Sequence, residues 1–188
     1  MLFNSFEFVL FLPCVFAAYW ALARCLRLQN LLVVAASYLF YGWWDWRFLA
    51  LIAFTSAWSW AFGLMEANAA PRSAASKARL ALSCVINLGI LGAFKYYDFF
   101  LGQAVELLRA CGFEPHVAFL QVALPVGVSF YTFQALSYTI DVYRRQIVPT
   151  RDPIAFFAFI GFFPQLVAGP IERATNLLPQ FLRPRAFD

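Results

Sequence analysis

Between Pro125 and Arg145 the polar residues Tyr131, Gln134, Ser137, Tyr138, Asp141 and Arg145 recur every three or four positions in an apolar stretch. On a helix this spacing sets them along one stripe. Hydroxyl, amide and carboxylate groups in such a row can orient a polar ligand in a tunnel. They can equally hold neighbouring helices together, with Asp141 paired to Arg144 or Arg145 and Tyr138 anchored at an interface, and both readings stay open. A second group of interest is Pro164, Gln165, Gly169 and Pro170 within Phe162 to Ile171. Two prolines and a glycine interrupt a strong apolar run there, so a broken or kinked helix is expected, with its free backbone facing protein or a cavity wall.

Neither group contains a catalytic base. Asp141 is the one carboxylate in the stripe, and beside two arginines it is expected to stay ionised and weakly basic. His116, the single histidine, follows Pro115 at the edge of an apolar run and reads as a loop residue. No Ser-His, Cys-His or paired carboxylate set for nucleophilic or general-base chemistry can be assembled. Cys14, Cys25, Cys84 and Cys111 lack CxxC spacing and are expected to be buried free thiols, with neither a metal nor a disulfide framework. No catalytic residue, bound cofactor or metal is therefore expected from these 188 residues alone.

The elements that position these groups follow from composition. The chain is 63% apolar and 13% charged, too little charge for the surface of an ordinary soluble domain. Uncharged runs extend over Phe8 to Ala23, Leu28 to Trp44, Phe48 to Met65, Leu80 to Phe94, Pro115 to Ile140 and Pro153 to Ile171. They are continuous rather than alternating, which excludes the barrel pattern and predicts an all-α, polytopic transmembrane bundle of five or six spans in one domain, 1–188. The bilayer is its first partner. The first run ends in Ala21-Leu22-Ala23, but Glu7 and no basic residue precede it, so it reads as an uncleaved anchor.

Basic residues in short loops orient such a bundle. Arg24, Arg27, Arg72, Lys77, Arg79, Arg144, Arg145 and Arg151 share one side if every run crosses, predicted to be cytoplasmic with the N-terminus outside. The same count puts Arg47, Lys95, Arg109, Arg173, Arg183 and Arg185 opposite. The net charge of +4 thus belongs to membrane orientation, and no basic stripe with exposed aromatics suits nucleic acid. Lys95-Tyr96-Tyr97-Asp98 is expected to close the fourth span. Asp98 to Cys111 is amphipathic at helical spacing, as an interfacial helix or a re-entrant hairpin would be. Gly89 and Ala93 form a small-xxx-small pair that predicts close helix packing, with Asn87 as a possible contact.

Six blocks carry a resemblance that spans essentially the whole chain: Met1-Leu2-Phe3-Asn4-Ser5, Ser37 to Trp44, Phe94 to Tyr97, Leu124 to Gln134, Ile140 to Arg144 and Phe163 to Ile171. Together and in this order they resemble the N-terminal half of membrane-bound O-acyltransferases of the alginate O-acetyltransferase type. The resemblance implies transfer of an acyl group, from acetyl-CoA or another acyl carrier, across the bacterial inner membrane. It implies a polysaccharide acceptor such as alginate or periplasmic acetyl-transfer proteins as partners. In the family the catalytic histidine lies in the second half, beyond a point equivalent to Asp188, and His116 matches no such position. The 188 residues alone are accordingly expected to be inactive. A scaffold of an exopolysaccharide modification complex and a small transporter remain the alternative readings.

Overall fold

The computed structural model describes residues 5–113, 127–170 and 172–185, and every regular element in them is helical. Helix α1 (Phe6–Ala21) starts on Ser5, whose hydroxyl accepts the Phe8 amide, and packs mainly on α2 (Leu26–Asp45). Asp45 ends α2 by capping a single 3-10 turn, Trp46–Phe48, which leads into α3 (Leu49–Ala67). Ser73 opens α4 (Ala74–Leu91). Gly127, with φ of 77°, opens α6 (Val128–Tyr143), and Asp152 with Pro153 opens α7 (Pro153–Gly161). Side chains of Ser5, Ser73 and Asp152 accept the orphan amides of the α1, α4 and α7 starts, and Pro153 removes one, so these boundaries follow from side chains, whereas Gly127 opens α6 through its backbone alone.

Among the described residues, two helical stretches are long and apolar enough to cross a bilayer, Trp46–Ala67 and Ala74–Ala110. The second is 37 residues because α4 does not close at Lys95 to Asp98. A π-type turn, Gly92–Tyr96, carries it into α5 (Tyr97–Ala110). At 1.5 Å per residue it measures about 55 Å, well beyond the ~30 Å hydrocarbon layer. The amphipathic segment expected as a separate interfacial or re-entrant element is thus a direct extension of the fourth run.

Contacts on α4 also differ from the small-residue expectation. Gly89 and Ala93 are exposed, and nothing lies near the position a Cβ would take on Gly89. Ser76, Ser83 and Asn87 are buried instead, with the Trp58 indole donating to Ser83 Oγ at 3.3 Å and the Asn87 amide bonding within its own helix to Ser83. Leaving hydroxyl and amide groups against lipid costs several kcal/mol while Gly and Ala cost nothing there, so the polar face turns inward. The cysteines were likewise misplaced by sequence: all four are free, but Cys14, Cys25 and Cys111 are exposed and Cys84 is half-buried. A thiol is apolar enough to face hydrocarbon.

Helix α6 lies between α3 and α4, and α7 between α2 and α3. The run Pro153 to Ile171 is not one helix. It breaks at Phe162, resumes as α8 (Phe163–Ala168), stops at Gly169, and the chain returns as α9 (Ala174–Phe181) against α7 and α6.

One end of the bundle is knotted by polar contacts. Buried Glu66 accepts from Ser76 Oγ at 2.6 Å and pairs with Arg79 at 2.7 Å, and Arg145 donates to the carbonyls of Glu66 and Ala69 at 3.0 and 2.5 Å. The Trp60 indole donates to the Thr150 carbonyl. Leu31 and Val34 meet Pro153, Ile154 and Phe157, so the start of α2 lies at this same end. Asn30 in turn bonds the Phe181 carbonyl and accepts from Arg185. Arg183 and Arg185 therefore join the eight basic residues assigned to this end, contrary to the count that put them opposite: ten of the 14 Lys and Arg gather here. The return after Gly169 is the reason.

Candidate functional site

The α6 stripe faces the interior. Tyr131, Gln134, Tyr138 and Asp141 are buried, and Ser137 is half-buried. Their period places them toward α3, α7 and α9, which supply the groups they meet. Tyr138 stacks edge-on with Phe156 of α7 at a 4.6 Å ring separation, and its hydroxyl reaches the backbone of Gly63 on α3, where any Cβ would collide with it. The Tyr41 hydroxyl reaches Gly127 in the same manner. The buried hydroxyls of Tyr41, Tyr131, Tyr138, Thr55, Ser59 and Thr132 have no hydrogen-bond partner among the described residues.

The stripe meets the helix break at the centre of the bundle. An unbroken helix would bond the Phe163 amide to the Phe159 carbonyl. Here Gln134 Nε2 donates to the Phe159 carbonyl at 2.9 Å, and the Phe163 amide donates to Ser37 Oγ of α2 at 3.2 Å. Two side chains from two helices have replaced one backbone bond. Beyond the break, Pro164 has no amide to give, and Gln165 Nε2 closes the end of α8 on the Pro170 carbonyl at 2.7 Å. The expected interruption is thus present, as one break at Phe162 and a second at Gly169.

Asp141 does not pair with Arg144 or Arg145 among the described residues, since Arg145 is turned to the end of α3. The carboxylate accepts a long bond from Ser137 Oγ at 3.5 Å, and that oxygen in turn lies 3.5 Å from the Ala174 amide. At such lengths these contacts orient weakly. Asp141 is therefore a buried acid without a strong partner in this part of the molecule.

The other four sequence candidates divide. Gln165 is buried, Gly169 half-buried and Pro170 exposed. Pro164, also exposed, lines a cavity of about 320 Å³ on the far side of the break, away from the stripe. His116 and Pro125 lie outside the described residues. No group of three or more His, Cys, Asp and Glu that could hold a metal occurs among those described. The residues that sequence reasoning missed are Ser37 and Gly63. Ser37 opens the block Ser37 to Trp44, but an isolated serine in an apolar run gives no periodic signal. What the constellation offers chemically is a row of hydrogen-bonding groups with a carboxylate at one end; no nucleophile with its base is assembled in the described residues.

No family model matches the chain, and no solved structure matches it. Curated proteins do. It is 41% identical over 182 residues to the "Probable alginate O-acetylase AlgI" of Pseudomonas putida and 40% identical to that of Pseudomonas aeruginosa, each alignment covering 96% of this chain and 37% and 34% of the relatives. It is 31% identical to the peptidoglycan O-acetyltransferase of Helicobacter pylori over 96% of this chain and 38% of that protein. The chain spans about a third of the length of the curated relatives it matches. Several such relatives cover nearly the whole chain, so along its length it is similar to part of the alginate O-acetylases and of a peptidoglycan O-acetyltransferase.

Proposed function

We propose that this chain forms part of the substrate path of an O-acetyltransferase acting on an extracytoplasmic polysaccharide. The observation that carries the reading is the junction at the bundle centre, where Gln134 of the stripe holds open a broken helix. Irregular backbone at membrane depth is tolerated where protein or a cavity surrounds it, and here side chains sustain it. In this reading Tyr131, Gln134, Ser137, Tyr138 and Asp141 line one wall of a tunnel, and Gln165, Gly169 and Pro170 belong to the segment beyond the break, whose Pro164 faces the other way. Their role is to position and desolvate, which can supply a large part of the barrier reduction in an acyl transfer between two bound substrates. The proton of the acceptor hydroxyl goes to a base outside the described residues. Acetyl-CoA or another acyl carrier supplies the acyl group. The protein sits in the inner membrane with its basic end in the cytoplasm and its N-terminus in the periplasm, following the excess of cations in cytoplasmic loops. A glycan, or a periplasmic protein that passes the acetyl group on, receives it.

The test is glycan acetylation by the full-length enzyme carrying Asp141→Asn or Gln134→Leu. Acetylation per molecule of enzyme should fall in both. Normal acetylation in both variants would reduce the stripe to interhelical packing and remove the tunnel wall from the reading.

A further inference from the structure

A cavity of about 320 Å³ opens between α1 and α9, beside the break and on the opposite side from the stripe. Its walls are apolar and largely aromatic, with Val15, Phe16, Trp20, Phe163, Leu177 and Phe181 among them. Along α1 it runs from Leu12 to Tyr19, about 10 Å at helical rise. Polar groups collect at one end only, where Tyr19, Gln180 and Arg185 close the wall. That end is the basic end of the bundle.

The Arg185 guanidinium is anchored, but among the described residues no carboxylate neutralises its charge. Nε donates to the Gln180 carbonyl at 3.0 Å, Nη1 to the Tyr19 hydroxyl at 2.8 Å and Nη2 to Asn30 Oδ1 at 2.8 Å. The group also lies over the rings of Phe181 and Tyr19, 4.9 and 5.5 Å from their centroids. All these partners are neutral, and the ion pairs present among the described residues are Arg47–Asp45 and Arg79–Glu66. Three of five guanidinium donors are used, so the remaining N–H groups can bind an oxyanion.

Helix α1 forms the outer wall and has no buried residue, while Val9, Leu10, Leu12 and Phe16 are exposed. The cavity therefore opens sideways, between exposed apolar side chains. An apolar slot of this kind, with a cation at its polar end, is complementary to an amphiphile with an apolar tail and an anionic head. A sugar finds no polar wall in it, and a zwitterionic lipid, whose own cation offsets its phosphate, gains less from the charge of Arg185 than an anionic one.

We propose that this groove is a binding site for an anionic phospholipid, which lays one acyl chain along α1 between Leu12 and Tyr19 and sets its phosphate on Arg185. The site requires only that the bundle lie in a membrane, and it is independent of the reading as an acetyltransferase.

The experiment is native mass spectrometry of the full chain in detergent, titrated with dioleoyl phosphatidylglycerol or dioleoyl phosphatidylcholine. One phosphatidylglycerol should be retained, with a preference over phosphatidylcholine of about fivefold, the scale of one interfacial cation. Arg185→Gln should bring the preference to about unity, whereas Arg183→Gln, which removes the same charge from an exposed neighbour, should keep it. Because Arg185 also ties α9 to α1 and α2, a second variant is needed that leaves it intact: Leu12→Trp fills the slot and should lower retention of both lipids. Preference that survives both Arg185→Gln and Leu12→Trp overturns the proposal. So does a dimer that disappears with Leu12→Trp while lipid retention is unchanged, since a second copy would then be the occupant.

Discussion

Replacing Gln134 by Leu tests whether the broken helix is held by side chains. The substitution removes the donor to the Phe159 carbonyl and leaves that oxygen buried, while the amide it would otherwise accept from, that of Phe163, is already committed to Ser37. Two magnitudes compete. Hydrogen bonds between transmembrane helices average only about 0.6 kcal/mol, because the groups they join find other partners when separated. An orphaned buried carbonyl costs about 1–3 kcal/mol. The second applies here, since the break fixes the carbonyl in place and Pro164 supplies no amide to replace the lost donor. For a chain of this size each kcal/mol moves the melting temperature by about 2–4 °C, so Gln134→Leu should lower it by roughly 2–12 °C. Ser37→Ala, which orphans the Phe163 amide, should fall in the same range. Combined, the two should be less than additive, because once one side of the break has rearranged the other bond is partly lost. Thermal unfolding of purified variants in detergent, followed by tryptophan fluorescence, measures this. Melting temperatures within about 1 °C of wild type for both single variants would show that neither side chain sustains the break.

Three further outcomes follow from contacts elsewhere. Gly63→Ala forces α3 away from Tyr138 and should destabilise by about 1–3 kcal/mol, with Tyr138→Phe restoring only part of the loss, because it removes the hydroxyl but leaves the ring Cζ 2.9 Å from the new Cβ; thermal melts of the pair decide it. Single cysteines at positions 73, 144 and 183, in a chain freed of its native thiols, should all react with an impermeant reagent from the same face of the membrane. Reaction of position 183 from the face that labels position 45 would refute the return of the chain after Gly169. The exposed Arg47 guanidinium, hydrogen-bonded to Asp45, holds that carboxyl below its ordinary range. A lowered folded-state pKa gives stability above the unfolded value that is lost as pH falls through the folded one, so any contribution would disappear only below about pH 4. Because Arg47 is exposed and an asparagine can keep the cap on the Arg47 amide, Asp45→Asn should leave the melting temperature at pH 7 unchanged.

Fold class was legible because lipid allows so few solutions: uncharged runs of this length with no period of two have to be helical. The inward stripe was legible for a related reason, since Gln134 and Asp141 share a helical period and neither can face hydrocarbon cheaply. Where sequence reasoning failed, tertiary partners decided. Nothing local shows that Arg145 turns to the ends of α3 and not to Asp141, because the Glu66 and Ala69 carbonyls it meets lie 79 and 76 residues away. Likewise, Gly89 and Ala93 fit a packing motif, but Ser83 and Asn87 on the other face had the larger penalty to avoid. Ser37 was illegible as a site residue because its importance lies in an amide on another helix. The return of the chain was hidden for a different reason. Pro164, Gly169 and Pro170 announce an interruption, yet an interruption does not reveal which way the chain leaves it.

That return bears on how the C-terminal third enters the membrane. Had Pro153 to Ile171 crossed once, Arg183 and Arg185 would have to be translocated to the opposite face, and a cation passing the middle of the bilayer costs about 2.5–3.5 kcal/mol on the insertion scale. Folded back, α7, α8 and α9 form a hairpin whose two ends stay at the face where α7 enters. Its far portion contains Glu172 and Arg173, adjacent and opposite in sign, so it contributes no net charge. The segment can therefore insert as one nearly neutral unit, with Arg183 and Arg185 held at the face where α7 enters.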